Sequence, residues 1–297
     1  MYGPTRVLYL ERFAADDLRL LADVARRAGT DAHDATVERL VAEPDRAVAL
    51  LDHPLTHDAV FGTPDAPVVF GTTPVSPFLA FAVAVHHAAT DLASRAFTTE
   101  WVGPRRRLPV FDVGVLRAFV DDPMRRLFLV ELLASYTHIT SGATWERTSR
   151  GWRRRRFSEL DPAQLATLLD AVPESDWPGV YRRLGDLALF LTGVFPDHTA
   201  TRFLSPVQRD RLLRVSGGHT RAATRAPDDE SLGAVALLEE LGSRWYRLAV
   251  SSARAPLTAT MQVVESVAEQ FRPARRVLNL VTDRYLFPMR DQLFGTA

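Results

Sequence analysis

Four times in this chain a residue able to cap a helix stands directly before a proline: Ser76-Pro77, Asp122-Pro123, Asp161-Pro162 and Ser205-Pro206. The capping oxygen accepts from N–H groups that a helical first turn leaves unpartnered, and proline supplies a preset helical φ where its missing N–H is not needed. Each pair therefore predicts a helix start, and four of them direct the chain toward an all-α fold. After Pro77 the apolar residues Phe78, Phe81, Val85, Ala89 and Leu92 recur at helical spacing, with His87, Asp91 and Ser94 opposite. The run after Pro123, MRRLFLVELLASYTHIT, is apolar nearly all round and predicts a central buried helix ending near Ile139 to Gly142.

Further helices are expected at about 14–28, 33–42, 162–172, 178–194, 206–215, 230–250, 257–271 and 274–286, with Pro273 separating the last two. Strand signals are sparse. Val68-Val69-Phe70 is one, and TWERTSRGWRRRRF alternates around a turn at Arg150-Gly151, predicting one small β-hairpin near residues 144–157. Gly217 to Asp229, rich in Gly, Thr, Ala and Arg, reads as a loop. The expected architecture is a multi-helix, bundle-like single domain over 1–297, or two lobes, 1–142 and 158–297, joined by the basic hairpin.

Two absences remove whole chemistries. The chain has no cysteine, and all 36 of its basic residues are arginine. Without Cys there is no disulfide framework, thiolate nucleophile or Cys-ligated cluster; without Lys there is no Schiff base or phosphate-loop lysine. Asn279 is the only asparagine, so the loss of Lys and Asn together points to GC-rich codon pressure rather than to a site. H-E-x-x-H, G-x-S-x-G and a Gly-rich dinucleotide loop are missing as well. The N-terminal MYGPTRVLYLERF lacks a secretory pattern, and the most apolar stretch, Phe78 to Val85, is far shorter than the ~18 residues that span a bilayer, so a cytoplasmic protein without a membrane partner is expected.

Net charge is zero, yet the charges segregate. Residues 1–100 hold 14 acids and 8 arginines (net −6), residues 101–156 hold 5 acids and 12 arginines (net +7), and the remainder holds 17 and 16 (net −1). The basic middle carries Arg105, Arg106 and Arg107, then Arg147, Arg150, Arg153, Arg154, Arg155 and Arg156, with Trp145, Trp152 and Phe157 interleaved. Guanidinium forks bind phosphate oxygens and aromatic faces stack on bases, so this surface is expected to contact a polyanion such as nucleic acid, or a protein partner. Pairing with the acidic first hundred residues is the competing explanation. The helices that follow are too apolar to be recognition helices.

Glu131, Ser135 and His138 form a second constellation, along one stripe of the most apolar helix. Helical bundles build metal sites from such carboxylate–imidazole pairs on facing helices, which makes a di-iron type enzyme using iron or manganese at Glu131 and His138 the alternative function. Asp186, His87 with Asp91, or Glu265 with Glu269 would complete it. The Glu131–His138 spacing resembles one element of the haem-oxygenase-like di-iron proteins, but the downstream histidine three residues before an aspartate is missing.

Smaller signals have plainer explanations. Pro54 starts a helix with His53 at its cap; of the adjacent His86 and His87, one reads as a satisfied core histidine. Arg182 one turn before Asp186 accounts for that carboxylate as an intrahelical pair, and Asn279 falls with Arg275, Arg276, Thr282 and Asp283 on the polar face of an amphipathic helix.

Overall fold

A computed structural model describes residues 3–29, 35–63, 66–67, 75–137, 141–148, 151–201, 204–217, 230–253, 258–287 and 293–294. Helices dominate among the described residues, and the strands form three two-stranded sheets, as an all-α chain with small hairpins requires. Two compact units interleave along the chain. The first comprises 1–98, 111–137 and 280–297, and the second 99–110 and 138–279.

The first unit contains α1 (Gly3–Arg12), α2 (Ala15–Arg27), α3 (Val37–Ala42), α4 (Pro44–Ala49), α5 (Pro54–Phe61), α6 (Pro77–Ser94), α7 (Val113–Val120) and α8 (Pro123–Ala134), with a minimal pair β1 (Gly62–Thr63) and β2 (Ala66–Pro67). Its centre is α6, where every residue from Phe78 to His86 is buried. Ser76 caps α6 by accepting from the Leu79 N–H at 3.1 Å. Ser76 is in turn fixed by Asp17, a fully buried carboxylate at the start of α2 that accepts from the Ser76 N–H (2.9 Å), the Ser76 hydroxyl (2.6 Å) and the Ala14 N–H (2.8 Å). One acid thus joins two helix starts. At the other end of α6, Arg117 of α7 donates to the carbonyls of Leu92 and Arg95, both at 2.6 Å.

The second unit holds β3 (Thr98–Gly103), β4 (Arg106–Val110), β5 (Ser141–Thr148) and β6 (Gly151–Ser158), followed by α9 (Pro162–Leu165), α10 (Trp177–Val194), α11 (Pro196–Thr201), α12 (Pro206–Val215), α13 (Glu230–Ser251), α14 (Ala259–Glu269) and α15 (Phe271–Val281). Small residues let its helices approach closely. A Cβ at Gly185 of α10 would overlap the Tyr246 ring of α13, and one at Gly193 would lie 2.7 Å from the Leu278 Cβ of α15. All four Ser-Pro and Asp-Pro pairs open helices, with the capping oxygens accepting from first-turn N–H groups.

Several boundaries differ from the sequence expectation. α8 ends at Ala134 rather than near Ile139, because the hydroxyls of Ser135 and Thr137 turn back to donate to the carbonyls of Leu132 and Ala134, both at 2.8 Å. The last two helices part at Gln270, and Pro273 sits inside the first turn of α15, where no N–H is required of it. The helix from Pro162 becomes 3-10 over Ala166–Asp170. The elements α1, α4, α7, β3 and β4 carry no periodic signal long enough to announce them. Val68 to Phe70 and residues 218–229 of the expected loop lie outside the described residues.

Candidate functional site

The β5–β6 ribbon carries the densest basic sequence. Its antiparallel register sets Trp145 opposite Arg154, Arg147 opposite Trp152, Ala143 opposite Arg156, Glu146 opposite Arg153 and Thr144 opposite Arg155. Thr, Trp and Phe favour the extended backbone, and alternation along a strand separates neighbours in the arginine run onto opposite faces. Positions 153 and 155 therefore fall on one face and 154 and 156 on the other. Arg150 lies outside the described residues.

Arg105, Arg106 and Arg107 belong to the same unit, Arg105 in the turn between β3 and β4 and Arg106 and Arg107 at the start of β4. Arg105 has φ 56°, an uncommon left-handed conformation for a side-chain-bearing residue. Asp197, in the first turn of α11, holds it there: Oδ1 accepts from the Arg105 N–H at 3.0 Å and from the indole N–H of buried Trp101 at 2.7 Å. Arg105 and Arg106 are exposed, and the Arg107 guanidinium lies 4.0 Å from Asp197. Trp101 packs with Ala200 and Val235, so the basic turn is mounted on the apolar core of its unit.

The proposed metal residues are placed as follows. Glu131 is half-buried on α8, and its Oε1 accepts from Arg12 at 3.2 Å. His138 lies outside the described residues, beyond the end of α8. Among the described residues no group of three or more His, Asp or Glu is arranged to hold a metal ion. Asp186 pairs with Arg182 at 3.9 Å as expected, but its nearer partner is the Tyr246 hydroxyl, which donates at 2.8 Å.

Two polar clusters join partners that the sequence does not name, and in the first of them His86 is the satisfied core histidine expected of the adjacent pair. In the first unit, His86 Nδ1 lies 3.4 Å from Asp52 and its Nε2 3.2 Å from the Tyr9 hydroxyl, while Thr90 donates to Asp52 at 3.2 Å. A neutral imidazole satisfies both neighbours, donating to Asp52 and accepting from Tyr9. Burial holds His86 below the ordinary histidine range and pushes the Tyr9 phenol upward. Burial, the largest single influence on Asp52, raises it, but the hydrogen bond and charge of His86, the Arg126 charge and the Thr90 hydroxyl together outweigh burial and leave that carboxyl below its usual range. Beside this chain, the rings of His57 and His87 stand 4.9 Å apart, with Tyr285 5.9 Å from His57. Burial, then the neighbouring His57, lowers His87; burial and the hydrogen bond to Asp91 push Tyr285 up to about 12.

In the second unit Arg275, Arg276 and Asn279 of α15, expected on the polar face of an amphipathic helix, are buried, which corrects that reading. Glu100 Oε1 accepts from Arg272 at 2.9 and 3.1 Å and from Arg275 at 2.9 Å, and Arg275 Nε lies 2.6 Å from Glu239. Asn279 donates to the carbonyls of Thr192 (3.1 Å) and Gly193 (2.6 Å) and accepts from Arg275 at 3.2 Å. The Arg272, Arg275, Arg276 and Asn279 stripe at helical spacing was the available signal, but it does not reveal that a glutamate on a distant strand meets it. Glu100 and Glu239 offset most of the positive charge that Arg272, Arg275 and Arg276 bring into this buried network, as in a structural ion-pair cluster.

No family model, curated protein or solved structure matches this chain. No helix among the described residues is long and apolar enough to cross a membrane.

Proposed function

We propose that this chain is a non-enzymatic helical binding or regulatory protein that contacts nucleic acid, as a polyanion, through the arginines of the β3–β4 turn and the β5–β6 ribbon. The observation that carries the reading is the ribbon register, which sets Arg147 against Trp152 and Trp145 against Arg154 within a segment of net charge +7 (12 arginines less 5 acids over residues 101–156). Guanidinium groups neutralise phosphates in bidentate fashion, and aromatic neighbours add contact with bases. Both arginine clusters lie in one unit, and Asp197 fixes the backbone of the smaller one, so little ordering is needed there on binding.

The test is a binding titration of labelled DNA and RNA oligonucleotides at low salt, with wild type and a variant in which Arg153, Arg154, Arg155 and Arg156 are all alanine. Wild type binds and the variant loses most of that affinity while keeping its helical circular dichroism. Wild type that binds no oligonucleotide ends the reading and leaves a protein partner for this surface.

A further inference from the structure

We propose that the nucleic acid is single-stranded and runs over one face of the β5–β6 ribbon, an inference that rests on the polyanion reading above. Strand alternation puts Ala143, Trp145, Arg147, Trp152, Arg154 and Arg156 on one face and leaves Glu146, Arg153, Thr144 and Arg155 on the other. The first face has three arginine positions, two tryptophan positions and no acid; the second sets its Glu146 directly against Arg153. Charge complementarity to a polyanion therefore belongs to the first face.

The order of residues on that face selects the kind of strand. Each tryptophan position has an arginine across the ribbon, about 5 Å away, and another two residues along its own strand, about 6.6 Å away. Aromatic and cationic positions alternate in both directions. A single strand presents base faces and phosphates in the same alternation, so indoles can stack on bases while guanidinium groups hold the adjoining phosphates. A duplex keeps its bases stacked on one another and shows a protein only their edges. An indole has one N–H and no acceptor with which to read those edges, so against a duplex the two tryptophans add little beyond the arginine–phosphate contacts.

The test compares an oligothymidylate with a mixed-sequence duplex of equal length at one salt concentration, following both affinity and quenching of tryptophan emission. Wild type binds the single strand at least about tenfold tighter than the duplex, with quenching, because stacking contributes about tenfold per base. The Trp145→Leu/Trp152→Leu variant loses that preference and retains weak binding of both. Arg154→Ala/Arg156→Ala weakens single-strand binding more than Arg153→Ala/Arg155→Ala, and circular dichroism confirms that each variant folds. Equal wild-type affinity for single strand and duplex, or a preference unchanged in the tryptophan variant, overturns the single-strand inference while leaving polyanion binding standing. Binding of neither nucleic acid by wild type overturns both. The wild-type preference and quenching need no variant, so a ribbon that failed to fold after substitution would leave the inference open to refutation.

Discussion

The carboxylate of Asp17, wholly buried, takes both the backbone N–H and the hydroxyl of Ser76, at 2.9 and 2.6 Å. Ser76 is the cap of α6, the helix at the centre of the first unit, so the contact fixes where that helix begins. Asp17→Ala deprives the half-buried Ser76 N–H and hydroxyl of their acceptor and removes the tie between the two helix starts, at a cost of about 1–3 kcal/mol. Chemical denaturation should show a loss in or above that range. A change below about 0.5 kcal/mol would mean that water or another acceptor replaces the carboxylate.

Asp197 plays the corresponding part under the basic turn. Asp197→Ala deprives the buried Trp101 indole N–H of its acceptor and is expected to destabilise by about 1–3 kcal/mol. Asp197→Asn keeps an oxygen acceptor and removes a negative charge from beside Arg105 and Arg107, so it should retain most of the stability and bind polyanions more tightly. Thermal melts and oligonucleotide titrations read the two effects separately.

The histidines of the first unit give its stability an acid limit. Burial lowers His86 below its unfolded value, so between the two pKa values the unfolded chain binds a proton that the folded chain refuses. Stability from this group is therefore full above the unfolded pKa of about 6.5 and falls as pH drops below it, by up to about 1.4 kcal/mol per pH unit. His87, half-exposed and beside His57, adds a smaller contribution of the same sign. Denaturant midpoints measured from pH 7.5 to 5.5 should decline, and His86→Gln should flatten the decline. A midpoint independent of pH over that interval would contradict the neutral, buried assignment.

The parts of the fold that were legible in the sequence are those written locally. Ser76-Pro77, Asp122-Pro123, Asp161-Pro162 and Ser205-Pro206 each encode a helix start within a few residues, and the Thr-Trp-Arg alternation encodes the ribbon. What stayed hidden is written at long range. Nothing near Asp17 names Ser76 as its partner, and nothing near Glu100 names Arg272 or Arg275. The sequence presents Asn279 as a compositional survivor on a polar helix face; its role, bridging α15 to the carbonyls of Thr192 and Gly193, depends on Gly193 allowing Leu278 within reach. The basic and aromatic residues of the hairpin are visible in the sequence, but the register that distinguishes the two ribbon faces comes only with the pairing of β5 and β6.

The alternative reading yields its own expectation at Glu131. If that carboxylate serves only the partly exposed pair with Arg12, Glu131→Gln should change stability by about 0–1 kcal/mol and leave the metal content of the purified protein unchanged. Stoichiometric iron or manganese in the wild type, lost in Glu131→Gln, would instead place the protein among metal-dependent helical enzymes.

The central claim is tested most directly by the salt dependence of wild-type binding to a single-stranded oligonucleotide. Three arginine positions on the tryptophan-bearing face, Arg147, Arg154 and Arg156, imply about three phosphate contacts, and each contributes about −0.7 to the slope of log affinity against log salt. A slope of about −2 or steeper, with affinity highest at the lowest salt, is the predicted result. Absence of binding at low salt, or an affinity indifferent to salt, would contradict it.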